Sequence, residues 1–420
     1  MNQLPFTEDT VIFGLLCLCL GFVFYTSSLK KGFWKKFYSI IPTLLMCYLL
    51  PAILASTGII NETESNTYYI ASRYLLPAAL ILMTLSIDLK AILNLGSKAL
   101  IMFLTGTIGI IIGGPLAILI VSIFSPETVG GNGFDAVWRG LATIAGSWIG
   151  GGANQAAMLE VFQFNQEKYG GMVLIDIVVA NIWMAIILLG VGKTKRIDAW
   201  LKADTSSIEE LKQKVSSHTA KIARVTSVHD FMMMVLYAFA GVGIAHLLGH
   251  HFADFLENNF EVIRNKEKIL SSLGSKFLWM VVFATAIGIG LSFTKAKNYE
   301  GAGASKIGGV FIYILVATIG MKMDLGKVME NPGLIAIGLV WISIHAGLLI
   351  LVAKLIKAPY FFLAVGSQAN VGGAASAPVV AAEFHPSLTS VGILLAVFGY
   401  VVGTAGAYLC ALLMEVASNV

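Results

Sequence analysis

The chain has 420 residues, 57% of them hydrophobic and only 12% charged, with a mean hydropathy of +0.81. A soluble domain averages about 45–50% apolar and about 25% charged, so no water-soluble core could hide this much apolar surface and the bilayer must be the solvent. The net charge is +4 and the basic residues sit in short loops, which leaves no nucleic-acid footprint.

Residues 1–10 carry Glu8 and Asp9 and no basic residue, so the first apolar run is expected to be a retained span, not a cleaved signal. Ten runs have the length and composition of spanning helices: about 10–27, 38–57, 70–87, 99–124, 171–192, 231–248, 276–293, 307–323, 333–353 and 389–412. Two further apolar stretches, 134–164 and 360–384, are interrupted by glycine and small polar residues. The polar segment Lys193–Ser227 holds eight basic and four acidic residues, with a predicted helix at Ser206–Lys214. It divides the chain into a first membrane repeat (1–192), a linker (193–227) and a second repeat (228–420). A second polar stretch, His250–Ser275, has the pattern of an amphipathic surface helix. Cys17, Cys19, Cys47 and Cys410 all lie inside apolar runs, without disulfide or metal spacing.

Three matches in the same order relate the halves. Ala71-Ser72-Arg73 pairs with Ala304-Ser305-Lys306, and Ser86-Ile87-Asp88-Leu89 with Lys322-Met323-Asp324-Leu325. The run from Gly146 to Ala157 pairs with that from Gly366 to Ala377. Lys30, Lys31, Lys35 and Lys36 place the first loop in the cytoplasm by the positive-inside rule. Every later basic loop, Lys193–Ser227 included, falls on that side only if 134–164 enters and leaves the membrane on one face. A re-entrant hairpin there, and by repeat logic at 360–384, leaves five spans per half. An odd number inverts the second half relative to the first, an architecture common in secondary transporters. The alternative is that both stretches span the membrane as broken helices. The expected fold is thus all-α and polytopic, with two inverted repeats of about five spans plus one glycine-rich re-entrant or broken helix.

Non-helical backbone in lipid survives only where protein or water satisfies it. The segments Gly146–Gln155 and Gly366–Ser376 are the candidates for a binding site. Glycine permits the turn and a close approach of ligand to backbone, and the exposed helix ends there offer N–H groups to anions and C=O groups to cations. Ser147, Gly151, Gly152, Asn154, Gln155, Ser367, Gln368, Asn370, Gly372, Gly373 and Ser376 are the predicted substrate-binding residues. Asp176, five residues into its span and followed by Asn181, has Val397 at the aligned position of the second half. A carboxylate there suits a cation ligand or a proton carrier. Asn154, Asp176, Asn181 and Asn370 are the sodium candidates. Asp88 and Asp324 read as capping residues at helix ends, Arg73 and Lys306 as basic residues near span starts, and Glu160 and Glu383 as residues lining a pathway. Trp34 and Tyr68 read as interface anchors, and His229 and His345 as packing residues, since neither has metal-site spacing.

The segments GSWIGGGANQAAM and GSQANVGGAASAP, with the SIDL and KMDL helix ends, resemble the YjcL-like bacterial integral membrane proteins over nearly the whole chain. That family, long a domain of unknown function, is distantly similar to the cation:proton antiporter and anion transporter superfamily, which includes sodium-coupled bile acid, glutamate and citrate symporters. The resemblance implies inverted repeats, a core carrying both broken elements, and elevator-like movement against a scaffold. It also implies sodium and substrate near Gly146–Gln155 and Gly366–Ser376.

The functional expectation is sodium-coupled uptake of a small polar or anionic organic solute, amino-acid- or carboxylate-like, with the alternative of cation:proton antiport through Asp176. No cofactor is expected beyond a sodium ion or proton as coupling ion. The expected partners are a small-molecule substrate, the lipid bilayer and, by analogy, a second copy in a homodimer. The expected location is the bacterial inner membrane, with the Lys193–Ser227 loop cytoplasmic. An enzyme would need a nucleophile–base pair or metal ligands facing one cavity, which the sequence lacks, and a sensor would carry a larger soluble domain.

Overall fold

A computed structural model describes residues 5–38, 41–206, 208, 211, 226–265, 269–327 and 330–419. Fourteen helices carry its architecture. The first half contains α1 (Asp9–Ser27), α2 (Thr43–Ser56), α3 (Thr67–Leu85), α4 (Ser97–Phe124), α5 (Val137–Gly150), α6 (Gly152–Phe162) and α7 (Tyr169–Val191). The second contains α8 (Val228–Asn259), α9 (Lys276–Ser292), α10 (Ala304–Gly320), α11 (Leu334–Leu355), α12 (Tyr360–Val371), α13 (Gly373–Phe384) and α14 (Thr389–Ser418). The protein is an all-α polytopic membrane protein. Seven helices (α1, α3, α4, α7, α8, α11 and α14) are long and apolar enough to cross a bilayer, α9 does so together with its bent continuation, and α2 and α10 are shorter apolar helices.

Local chemistry sets the boundaries. Pro42, with φ fixed and no N–H to lose, precedes α2. A reciprocal capping box between Ser227 and Asp230 starts α8. Asp88 accepts from the Ala91 amide at 2.9 Å and Asp324 from the Gly326 amide at 2.8 Å, the capping roles expected of both. Residues Ala71–Leu75 inside α3 form a π-helical turn.

Two expectations change. The polar stretch His250–Ser275 is not one surface helix: α8 continues through it to Asn259, and the chain then breaks into short helical turns at Glu261–Arg264 and Ile269–Gly274. The last turns of α8 stay helical because Gly249 brings them against the Met280 backbone and Asp254 pairs with Lys276 at 2.9 Å. In the linker the described helix is Thr194–Leu201, whereas most of the predicted helix at Ser206–Lys214 lies outside the described residues.

The helices sort into two layers. Helices α1–α3 and α8–α10 pack with one another, and α4–α7 pack with α11–α14. Equivalent helices of the two halves meet: α3 lies on α10, α4 on α11, and α5 on α12. Between the layers the main contacts are made by α6 and α14 against α3 and α9.

Both glycine-rich stretches are antiparallel hairpins. The ends of α5 and α6 lie side by side, with Trp138 and Phe162 rings 5.4 Å apart and Arg139 Nη1 donating to the Phe162 carbonyl at 2.6 Å. The ends of α12 and α13 do the same, with Phe384 5.8 Å from Tyr360 and 5.4 Å from Phe361. The hairpins open towards opposite ends of the bundle. The first opens beside Asp135, Lys168, Asp324 and Glu330, joined by the 3.0 Å Lys168–Asp135 pair and the bond from the Asp324 amide to the Glu167 carbonyl. The second opens beside Lys98, Asp198 and Asp204, where Asp198 accepts from the Tyr360 amide at 2.7 Å and Lys98 pairs with Asp204 at 2.9 Å. Helix α4 therefore runs from the Lys98 end to the Thr128 end, and α11, whose start is tied to the Thr128 carbonyl by Asn331, runs the other way.

On α8, an added Cβ at Gly249 would lie 2.7 Å from the Met280 backbone nitrogen, whereas one at Gly243 meets nothing within 4 Å. Gly249→Ala is expected to destabilise the protein by about 1–3 kcal/mol. Gly243→Ala is expected to leave stability unchanged or raise it by up to about 1 kcal/mol. Thermal unfolding of the two variants in detergent checks both.

Candidate functional site

The two hairpins meet tip to tip. Gly151 (φ +76°) and Gly373 (φ +55°) occupy the left-handed region that favours glycine, and a Cβ on Gly373 would lie 3.9 Å from the Cα of Gly151. Both tips rest on α14. A Cβ at Gly399 would fall 2.8 Å from the Ile149 carbonyl oxygen and 3.4 Å from that of Ala369. Any side chain there would push the tips off the helix. Helices α6 and α13 both begin at this junction, so their free N–H groups gather at it.

The buried asparagines fasten the hairpins. Asn154 donates Nδ2 to the Gly150 carbonyl at 2.9 Å, and its oxygen accepts from Thr404 of α14 at 2.6 Å. Asn370 donates to the Gly366 and Phe103 carbonyls, both at 2.9 Å, and accepts from Thr107 of α4 at 2.8 Å. Each hairpin is thus stapled to a long helix of the other half. Both Asn370 protons are consumed, which leaves its amide little capacity for a ligand.

The equivalent serines have different partners. Ser147, Trp148 and Gln155 of the first hairpin donate to the Asp176 carboxylate at 2.8, 2.7 and 3.0 Å. Asp176 is 6% exposed, and no basic side chain pairs with it among the described residues. Ser367 of the second hairpin accepts from Trp183 Nε1 at 2.8 Å and lies 2.8 Å from His345 Nε2. His345 Nδ1 faces the Gly106 carbonyl at 2.9 Å, so it carries the proton there, and Nε2 accepts from Ser367. The chain Trp183–Ser367–His345–Gly106 is then complete with a neutral ring.

Gln368 stands apart. It is 1% exposed, and Ser376 donates to its oxygen at 2.7 Å over the first turn of α13. Its Nε2 has no partner among the described residues. A buried amide left without an acceptor costs about 1–3 kcal/mol and marks a place where one belongs. Gly372 packs directly against this Gln368–Ser376 pair. Gly152 faces Ile312 of α10 at 3.7 Å from a Cβ position, across the layer boundary.

Ten of the eleven predicted binding residues line or fasten the tip junction or flank it by one turn, and Ser367 belongs to the histidine chain beside it. Asn154, Asp176 and Asn370 are buried around the hairpins. Asn181 is not brought there: it lies on the exposed side of α7 and returns its amide to the Ile177 carbonyl at 2.7 Å. His345, read as a packing residue, is a hydrogen-bonded element of the site. Thr107, Thr404 and Trp183 carry no pattern in the sequence that distinguishes them from other membrane-helix residues, yet each completes a buried polar bond.

A second polar cluster joins the layers. Arg73, in the π-helical turn, pairs with Glu160 of α6 at 2.7 Å and lies over the Phe277 ring at 4.5 Å. Tyr68, expected to be an interface anchor, donates to the other oxygen of Glu160. Glu160 opens onto a cavity of about 540 Å³ at the mouth of the first hairpin, lined also by Asn132, Asp135, Gln163, Asn165 and Gln166. Asn165 and Lys168 hold the Asp135 carboxyl there below its ordinary pKa. No tip residue lines this cavity.

Ser367→Ala removes the acceptor of the Trp183 N–H and the donor to His345 Nε2, leaving two buried groups unpaired. The expected loss is about 1–3 kcal/mol, read as a lower melting temperature, with only the Trp183 share of it relieved in the Ser367→Ala/Trp183→Phe double variant, since His345 Nε2 stays unpaired there.

The sequence matches the family described as "Protein of unknown function (DUF819)" over residues 14–416, and the chain belongs to that family. It is 23% identical over 399 residues to the "Uncharacterized membrane protein YjcL" of Bacillus subtilis (strain 168), covering 91% of this chain and 93% of that protein.

Proposed function

We propose that this member of the family is a secondary active transporter that binds a small polar organic solute where the two hairpin tips meet. One observation carries the reading: hairpins entering from opposite ends of the bundle touch at their glycine tips, with the unpartnered Gln368 amide buried beside them. Broken helices meeting in mid-membrane are the recurrent binding architecture of secondary transporters, because their ends supply backbone donors and acceptors that lipid cannot.

Several features support the finer points. The two halves are inverted repeats on this reading: counting the bent α9 and the shorter α2 and α10 as crossings gives each half five and one hairpin, and the equivalent α4 and α11 run oppositely. Lys98, Lys202, Lys354 and Lys357 gather at one end with the lysine-rich first loop. Glu62, Glu127, Asp135 and Glu167 gather at the other. The positive-inside rule then puts the Lys193–Ser227 linker in the cytoplasm. The layer of α1–α3 and α8–α10 serves as a scaffold, and the layer holding the hairpins moves against it in elevator fashion. The relative in Bacillus is a membrane protein, consistent with a bacterial cytoplasmic membrane.

Coupling falls to Asp176. Three neutral donors hold its carboxylate and no basic side chain among the described residues neutralises it, so a cation is the missing partner. Sodium is the first choice, because the carboxylate has lone pairs left for a hard cation. The second reading, proton-linked exchange, rests on the same residue: a proton would neutralise it equally.

Thermal unfolding in detergent tests both. With sodium in place of potassium, and a panel of amino acids and carboxylates, the protein is expected to gain about 2.7 kcal/mol at a ligand concentration 100 times Kd. Asp176→Asn is expected to remove the sodium effect and Gln368→Ala the solute effect. If pH shifts the melting temperature but neither sodium nor any solute does, sodium symport is wrong and proton-linked exchange at Asp176 takes its place.

A further inference from the structure

The two layers touch unequally. On the first hairpin, α6 packs against α3 and α9. The repeat-related contacts of the second hairpin would set α13 against α10 and α2, and α13 makes no comparable packing there. The first hairpin is closed on the opposite layer and the second is not.

Charged residues follow the same asymmetry. Glu160 lies two residues before the end of α6, and Glu383 one residue before the end of α13. Arg73 and Lys306 close the matching triplets Ala71-Ser72-Arg73 and Ala304-Ser305-Lys306, near the starts of α3 and α10. Arg73 and Glu160 are paired at 2.7 Å, with Glu160 also held by Tyr68. Lys306 and Glu383 are both exposed, and neither makes an ion pair among the described residues. Glu300, the nearby carboxylate that feels the Lys306 charge, is itself held by the Ser305 hydroxyl at 2.6 Å and the Ser305 amide at 3.0 Å.

We propose that Arg73–Glu160 and Lys306–Glu383 are alternating latches. The first closes its end of the protein in the conformation described here. Moving the hairpin layer to the opposite position breaks it and brings Glu383 of α13 to Lys306 of α10. Only one latch is made at a time, because the two hairpins open to opposite ends of the bundle and one rigid layer carries both. The proposal rests on the transport reading for the purpose of the motion, but its geometry stands on the repeat and the ion pairs. The π-helical turn that presents Arg73 has no counterpart in α10, so the latches are unequal and the Arg73 side is the tighter.

The test uses the full chain with its four cysteines replaced, carrying Lys306→Cys and Glu383→Cys, and measures cross-linking by a short bis-maleimide. With Arg73–Glu160 intact the cross-linked fraction is expected to be small. Adding Glu160→Gln is expected to raise the ratio of cross-linked to free protein about tenfold. The charge exchange Arg73→Glu/Glu160→Arg, which rebuilds the latch with signs reversed, is expected to lower it again. That exchange also guards against a Glu160→Gln variant that merely loosens the fold. A cross-linked fraction that ignores Glu160→Gln, or one that stays high in the charge exchange, overturns the latches. If the cross-link responds as expected while no solute or ion stabilises the protein, the latches stand and the transport reading falls. If solutes stabilise the protein but the cross-link never forms, the transport reading stands and the latches fall.

Discussion

Backbone that leaves a helix inside a bilayer has nowhere to place its N–H and C=O groups except against other protein, at a cost of several kcal/mol for each group left over. Most of the architecture around the hairpins answers that constraint. Two interruptions are brought together so that each covers the other, and both are set on α14 where Gly399 lets the Ile149 and Ala369 carbonyls approach. Asn154 and Asn370 take up the carbonyls four residues behind them and are themselves held by threonines on helices of the other half. The exchange of partners between halves makes the hairpin layer a single packed body.

The two hairpins share a sequence pattern, but the residues around them differ in charge. At Ser147 the first hairpin clasps a carboxylate. At the equivalent Ser367 the second is tied to a histidine and a tryptophan. The negative character lies with α5–α7, whereas the spare donor, Gln368, lies with α12–α13. The buried carboxylate acceptor and the buried amide donor thus lie on different hairpins, on either side of the Gly151–Gly373 contact.

Much of this was readable from sequence, for identifiable reasons. Apolar length gave the helices, and the basic loops favoured a hairpin at 134–164 over a broken span; the Trp138–Phe162 contact sets the ends of α5 and α6 side by side. Glycine and amide residues marked the tips because few other side chains tolerate such a break. The partners were not legible. Thr107, Thr404 and Trp183 look like ordinary membrane-helix residues, and only the three-dimensional path sets them opposite Asn370, Asn154 and Ser367. Asn181 misled because it follows Asp176 by five residues, more than one helical turn, and so faces elsewhere. Tyr68 looked like an interface anchor, since nothing local reveals a glutamate arriving from a hairpin far along the chain. The polar stretch after His250 read as a separate element because composition, unlike the Gly249–Met280 contact, does not show that α8 is still packed there.

The helices of the layer formed by α1–α3 and α8–α10 differ widely in length. At about 1.5 Å per residue, the 14 residues of α2 reach about 21 Å and the 17 of α10 about 26 Å, whereas the 32 of α8 reach about 48 Å. A hydrocarbon core is about 30 Å thick. The short pair pack on each other, so the deficit is concentrated on one flank of the protein. Lipid beside α2 and α10 must thin or be shielded there, while α8 must tilt or emerge. A layer sliding past that flank would travel through a locally compressed bilayer, so acyl-chain length becomes part of the energy of its movement.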